Sequence, residues 1–190
     1  MPSSAVFDLD DPGVRVVPGH DHWHPDIPGV AEVITGGSVR MECQEPEPGG
    51  EPLLCGPLVV VGAEPGDVIV VDVLGVGRAG GVHDNGGHPG IIGCAPAAPE
   101  AVPSGARGRD VGGCSIAPLS AGSRILLPVQ VRGAKLSVGD LHFPVSGTYD
   151  CDATARAGWI DLRVNLTRRG VERFRVTGPM LMPDPTPSFV

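Results

Sequence analysis

The sequence predicts an all-β protein, a sandwich or barrel with a glycine-rich active-site loop, and three observations lead to this prediction. Short runs rich in β-branched residues recur along the chain, each bounded by turn-forming residues. The chain has 29 glycines and 21 prolines, which interrupt nearly every window that could sustain a helical period. The hydrophobic share of 41% is nevertheless high enough for a packed core, so low complexity is not favoured.

Seven segments carry the strand prediction. Three of them have a glycine-led turn that enters a β-branched run, and they cover 36–45, 65–74 and 121–131. Two longer strands are predicted at 158–166 and 172–181, and shorter ones at 56–62 and 135–143. Many short strands separated by turns are typical of a sandwich or a barrel.

We expect a single domain over 1–190, which can be read as two intertwined β lobes, 1–76 and 116–190, joined by 77–115. The joining segment is rich in glycine, and long loops of this kind usually form active or binding sites or else are disordered. The proline-rich, apolar tail at 178–190 is expected to lie against a surface, such as that of a partner subunit.

Charge and hydropathy narrow the expected partners. The formal net charge is −8 and Lys135 is the only lysine, so the chain lacks the basic stripe of a nucleic-acid-binding protein. We see no signal-peptide pattern and no apolar stretch near the ~20 residues that span a bilayer. We therefore expect a cytoplasmic, bacterial protein that binds neither nucleic acid nor membrane. Free thiols are expected from five cysteines without a CxxC spacing: Cys43, Cys55, Cys94, Cys114 and Cys151.

Histidines give the strongest functional signal. In GHDHWHPD, two-residue spacing separates His20, His22, His24 and Asp26. Alternate residues of a strand lie on one face, so an extended segment would present three imidazoles and a carboxylate together. Such a set suits a divalent metal, zinc before others, or acid–base chemistry. We predict all four as metal ligands, with His24 and Asp26 also as catalytic residues; packing alone is the alternative.

Two other segments contribute catalytic candidates. In VHDNGGHPG (82–90) a glycine turn separates His83 from His88, and we predict His88 as catalytic. In GDLHF (139–143), Asp140 and His142 alternate, so the carboxylate can hold the imidazole in one tautomer, as a general base requires. An ordinary turn or a core strand explains each pattern equally well.

Cys114 is the remaining catalytic candidate, because it follows two glycines and precedes Ser115. A thiol nucleophile needs a base nearby, and a small buried hydrophobic residue is the alternative. For Cys94, in GIIGCAP, the buried interpretation is favoured.

Five blocks in order along the chain resemble the acetamidase/formamidase family, and its formamidase branch in particular. They are HWHPDIPGV (22–30), GPLVVVGAEPGDVIVVDVL (56–74), HPGIIGCAP (88–96), GSRILLPVQVRGAKLSVGDLHF (122–143) and AGWIDLRVNL (157–166). The resemblance implies an all-β sandwich, self-association into a homo-oligomer, and hydrolysis of short linear amides. It makes a divalent metal plausible and an organic cofactor unexpected. The positions that carry over are His20, His24, Asp26, His88, Asp140 and His142.

The chain departs from that family at its acidic motifs. Where the family's Gly-Asp-Gly-Glu run supplies two acids, this chain reads Ser-Gly-Thr-Tyr at 146–149, and the nearest carboxylates are Asp150 and Asp152. In the family's Gly-Gly-Asn motif, Cys114 stands in place of the asparagine. The family's long insertion before the HPG block is reduced here to 77–87, which should open the site or leave a neighbouring subunit to close it.

The first functional hypothesis is an amidohydrolase-like enzyme acting on a carbon–nitrogen bond of a small molecule. Amide hydrolysis needs an activated water and a proton donor, and the family's acids are replaced, so a specialised variant is favoured over simple formamide or acetamide hydrolysis. Backbone amides at 88–93 are expected to stabilise an oxyanion. The alternatives are a lyase or cyclase using the same pocket, an inactive homologue that binds a small ligand or metal, and a subunit completing another protein's site.

Overall fold

A computed structural model describes residues 3–8, 14–106, 119–144 and 154–182. Almost all regular structure in these ranges is β-strand, which confirms the predicted fold class. The strands are β1 (Ser3–Asp8), β2 (Val14–Pro18), β3 (His22–Trp23), β4 (Ala31–Val33), β5 (Ser38–Cys43), β6 (Leu54–Val60), β7 (Val68–Arg78), β8 (His88–Cys94), β9 (Val102–Pro103), β10 (Arg124–Pro128), β11 (Leu136–His142), β12 (Gly158–Thr167) and β13 (Met180–Met182). A five-residue helix, α1, spans Gly170–Phe174, and a 3₁₀ turn spans Ser104–Ala106. Neither is long and apolar enough to cross a membrane.

Two sheets contain most of these strands. The larger has the order β13-β10-β7-β12-β5-β1-β2, and the smaller has the order β4-β6-β11-β8. Strands β3 and β9 form a separate two-stranded ribbon. The β4–β6 pair is parallel, whereas β8 and β6 both run antiparallel to β11. In the smaller sheet β8 is therefore an edge strand.

One hydrophobic core contains residues of both sheets. Alternation along β12 shows how it is built, because Ile160, Leu162 and Val164 are buried while Arg163 is exposed. The smaller sheet contributes buried side chains such as Leu58 and Leu136 to the same cluster. On the other face of the large sheet, cross-strand ion pairs join β5 to β12 and β7 to β10 (Arg40–Asp161 and Arg124–Asp72).

Six of the seven predicted strand segments contain a strand, namely β5, β6, β7, β10, β11 and β12. The prediction for 172–181 is wrong over most of its length, because α1 extends into it and only β13 is extended. Arg169 and Arg175, with φ of 52° and 55°, bound the helix in left-handed conformations. The backbone N–H of Arg169 donates to the buried carboxylate of Asp67 at 2.8 Å, which anchors the turn before the helix.

The long loop predicted at 77–115 is also corrected. Strand β7 continues through Arg78, and residues 88–94 form β8, which pairs with β11. Pairing with β11 therefore keeps residues 88–94 in an extended strand despite the high glycine content of this segment. Residues 107–115 lie outside the described part of the chain.

Candidate active site

The antiparallel register of β8 and β11 places His88 directly opposite His142. Directly opposed residues of two antiparallel strands lie on one face of the pair. The two imidazole centroids are 5.8 Å apart, and the ring planes are inclined by 58°. Two histidines that are distant in sequence therefore face each other, one on an edge strand and the other on its neighbour.

A hydrogen bond defines the orientation of His88. Its Nδ1 donates to the carbonyl oxygen of Gly86 at 3.0 Å, so Nε2 carries the lone pair of the neutral ring. The Gly86 carbonyl that accepts this bond lies in a turn held by two further hydrogen bonds. The Gly86 N–H donates to Asp84 Oδ1 at 3.1 Å, and the Gly87 N–H donates to the Asp84 carbonyl oxygen at 3.2 Å. The result is a buried imidazole in one tautomer.

Burial is the main reason that the pKa of His88 lies below its ordinary value, and the neighbouring His142 lowers the pKa further. The hydrogen bond to Gly86 and the carboxylates of Asp140 and Asp84 oppose the shift without reversing it. His88 is therefore neutral at neutral pH. A neutral imidazole with a defined tautomer can act as a general base.

Asp140 lies beside this pair in a strained conformation. Its side chain is largely buried, and Oδ1 is 3.3 Å from His142 Nε2. Its φ of 56° falls in the left-handed region, which non-glycine residues in strands rarely occupy. Such strain is typical of functional sites, where the surrounding structure maintains it. The distance allows a charge interaction with the ring, and the role of this carboxylate in orienting an imidazole stays a prediction.

Gly90 makes room for that carboxylate, and the sequence reasoning missed it. A Cβ added at Gly90 would lie 2.5 Å from Asp140 Oδ2 and 3.1 Å from its Cγ. Any side chain here would push the carboxylate away from its present position. The glycine of the HPG triplet (88–90) is therefore explained by a close approach across the two strands.

Arg78 is a cation near this region that the sequence reasoning also missed. Its guanidinium lies 4.5 Å from the centroid of the Phe143 ring, directly after His142 in the chain. Its Nε is 3.7 Å from Asp84 Oδ2, on the turn that supports His88. This half-exposed cation is placed to attract a carboxylate, but no single motif in the sequence marks it.

The four predicted metal ligands are not brought together. Strand β3 covers only His22–Trp23, and the chain turns at 25–27, so the expectation that alternate residues share one face is wrong for this segment. His24 Nδ1 accepts from the Asp26 N–H at 3.1 Å, and the Asp26 side chain is 90% exposed. Across the described ranges, no group of three or more His, Cys, Asp or Glu side chains could hold a metal ion. These residues do not fit the zinc site expected from their spacing.

Each histidine of that segment has its own partner. His20 Nδ1 donates to the carbonyl oxygen of His22 at 2.8 Å, and its Nε2 lies 3.1 Å from Ser137 Oγ. Burial lowers the pKa of His20. His22 pairs with the neighbouring Asp21 at 2.8 Å on the surface. His24 Nε2 is 3.3 Å from the carbonyl oxygen of Pro99. These contacts attach the segment to the fold.

The cysteine predictions have different outcomes. Cys94 is 6% exposed, which agrees with the buried interpretation. Cys43 and Cys55 are also buried, and none of these three described cysteines forms a disulfide bond. Cys114, Cys151 and the run at 146–149 lie outside the described residues, so the role of Cys114 as a nucleophile stays a prediction.

Comparison with known proteins identifies the class to which this fold and site belong. The model of the acetamidase/formamidase family (FmdA_AmdA) matches residues 95–189, which is half of the chain. The protein is therefore a member of the acetamidase/formamidase family, as the resemblance predicted.

Two curated relatives have similar sequences over most of the chain. A formamidase from Methylophilus methylotrophus is 28% identical over 284 aligned residues, covering 90% of this chain and 69% of the relative. An acetamidase from Mycolicibacterium smegmatis is 29% identical, covering 89% of this chain and 71% of the relative.

Solved structures share the fold. A gamma lactamase from Delftia acidovorans superposes with a TM-score of 0.67 at 24% identity, covering 88% of this chain and 68% of that chain. An acetamidase from Bacillus halodurans gives a TM-score of 0.63 at 20% identity, covering 79% of this chain and 68% of that chain.

Proposed function

We propose that this protein hydrolyses the carbon–nitrogen bond of a small neutral amide, using His88, His142 and Asp140. The observation that carries the proposal is the pair of imidazoles facing each other across β8 and β11, with a buried carboxylate 3.3 Å from one of them. The reaction class follows from membership of a family whose curated relatives are named formamidase and acetamidase.

His88 is the general base in this proposal. Its Nδ1–H is fixed by Gly86, so Nε2 accepts a proton from a water molecule. The resulting hydroxide attacks the amide carbon and forms a tetrahedral intermediate. The lowered pKa of His88 keeps the ring unprotonated and ready for this step.

The same proton then completes the reaction. Protonated His88 returns it to the amide nitrogen, the carbon–nitrogen bond breaks, and ammonia leaves with the carboxylic acid. Asp140, close to His142 Nε2, stabilises any positive charge on the neighbouring ring and fixes its orientation. His142, opposite His88 in the register, is assigned to positioning the amide group of the substrate.

Stabilisation of the oxyanion is assigned to backbone N–H groups at 88–93. Because β8 is an edge strand of its sheet, one side of its backbone is not paired with another strand of that sheet. Hydrogen-bond donors aimed at the developing negative charge are often the largest single contribution to catalysis. A specialised amide remains the favoured substrate, since the family's acids are replaced at 146–149.

Ammonia release from a panel of short linear amides tests the proposal. Turnover is expected for at least one amide, and both Asp140→Asn and His142→Gln should lower kcat/KM by about 10² or more. His83→Asn is the matched control, because this exposed histidine packs edge-on against Trp159 on the other sheet. Equal activity in all three variants would refute the assignment. Failure to release ammonia from any amide would instead favour the inactive, ligand-binding homologue.

A further inference from the structure

A cavity lies between the C-terminal end of β8, strand β10 and the segment 177–179. Its volume is about 160 Å³. Ile92 and Leu127 come from the two strands, while Trp23 and Pro179 supply further apolar surface. These four lining residues belong to the described part of the chain.

The GHDHWHPD segment builds one wall of this cavity. The Trp23 side chain is 1% exposed, and its indole N–H donates to the carbonyl oxygen of Ser104 at 3.2 Å. Its Cη2 lies 3.3 Å from where a Cβ would stand on Gly93, so the ring rests on β8. The bond between His20 and Ser137 attaches the start of the segment to β11. The GHDHWHPD segment therefore fixes the Trp23 ring against β8, where the ring forms one side of the cavity.

The chemistry of the lining defines what can bind. None of the described residues that line the cavity carries a charge, and burying an unpaired charge there would be costly. Two polar side chains are present, Gln130 and Thr177. Gln130 Oε1 accepts from the Ala97 N–H at 3.2 Å, and its amide nitrogen supplies further donors. The described lining therefore combines apolar side chains with hydrogen-bonding groups in comparable measure.

We infer that this cavity is a binding site for a neutral, compact ligand that combines an apolar ring with a hydrogen-bonding group. An apolar cavity of about 150 Å³ in a protein accommodates benzene, so a monocyclic aromatic compound matches the volume. The ligand's ring packs against Trp23, and its polar group meets Gln130 or Thr177.

This site is separate from the proposed catalytic pair. Ile92 follows His88 by four residues on the same strand, and four strand residues span roughly 13 Å. One small amide does not reach both places. The inference therefore does not depend on the proposed hydrolysis.

Tryptophan fluorescence gives a direct test, because the chain has two tryptophans, Trp23 and Trp159. Replacing Trp159 on β12 by phenylalanine leaves the emission of Trp23 alone. Benzyl alcohol is the neutral probe, and benzoate is the charged probe of matched shape. Calorimetric titration of the wild-type protein with benzyl alcohol provides a second measurement without any substitution.

Gly178 offers a blocking variant and its control. A Cβ added at Gly178 would meet nothing within 4 Å, so a methyl group can be accommodated there. Gly178→Leu should occupy part of the cavity and weaken benzyl alcohol binding by about tenfold or more. Gly178→Ala, which adds only a methyl group, should retain binding.

A saturable change in Trp23 emission with benzyl alcohol, absent with benzoate and weakened in Gly178→Leu, is the expected result. A linear response, or equal binding by Gly178→Leu and wild-type protein, would overturn the inference. Equal binding of benzoate would also contradict it. A wild-type dimer that Gly178→Leu dissociates, with no binding of benzyl alcohol, would show that a second copy occupies the cavity instead.

Discussion

Replacement of Gly90 by alanine tests the site without touching any residue that carries the chemistry. The new Cβ would stand 2.5 Å from Asp140 Oδ2, whereas ordinary van der Waals contact begins at 3.4 Å. The carboxylate must therefore move by about 0.9 Å, the difference between these two distances. We expect a displacement of that size to disturb the 3.3 Å contact between Asp140 Oδ1 and His142 Nε2.

The expected loss of activity follows from this displacement. A misplacement of about 1 Å can cost 10²-fold in rate, so we expect kcat/KM to fall about 10²-fold, or roughly 2.7 kcal/mol of transition-state stabilisation. The protein should remain folded, because the shortest contact is with the end of a side chain, while the Asp140 carbonyl oxygen lies further away, at 3.1 Å.

Steady-state ammonia release measures this effect, with circular dichroism to check folding. Gly93→Ala on the same strand is the control, since its Cβ would lie at 3.3 Å from the Trp23 ring and away from Asp140. Its kcat/KM should stay close to wild type. An unchanged kcat/KM in Gly90→Ala, or the same loss in both variants, would refute the role assigned to the Asp140 carboxylate.

Three further predictions concern stability. Burial lowers the pKa of both His20 and His88, so these groups take up protons at a higher pH in the unfolded chain than in the folded protein. The free energy of unfolding should therefore fall as the pH drops below about 6.5. Denaturant titrations that show constant stability below this pH would contradict the prediction. Met41→Ala, at a fully buried position of β5, should cost about 2–5 kcal/mol in the same titrations, and a cost near zero would refute its core role. His22→Ala should change stability by less than about 0.5 kcal/mol, because His22 pairs only with exposed Asp21.

The sequence alone predicts the strands in which polar and apolar side chains alternate or in which most side chains are β-branched. Strand β12 is the clearest example, since Ile160 and Leu162 face the core on either side of Asp161. Strand β8 could not be predicted in the same way, because two glycines and a proline conceal its extended character. Its pairing with β11 depends on tertiary packing that no local pattern expresses.

The sequence identifies the residues of the candidate site, but it does not predict how their side chains are placed relative to one another. His88, Asp140 and His142 were identified from motifs and from the family resemblance, yet the register that opposes the two histidines exists only after the sheet forms. The left-handed conformation of Asp140 and the clearance at Gly90 depend on backbone dihedrals. For His20, His22 and His24, the spacing indicated a shared face, but the turn after Trp23 ends the strand too early.

The central claim is that His88 and His142 act as one unit, and a double-substitution measurement tests it most directly. Amide hydrolysis would be followed for His88→Gln, His142→Gln and the combined variant. Residues that act together give losses that do not add, so the combined variant should lose about as much kcat/KM as the more damaging single change. Losses that multiply, or wild-type activity in either single variant, would contradict the account.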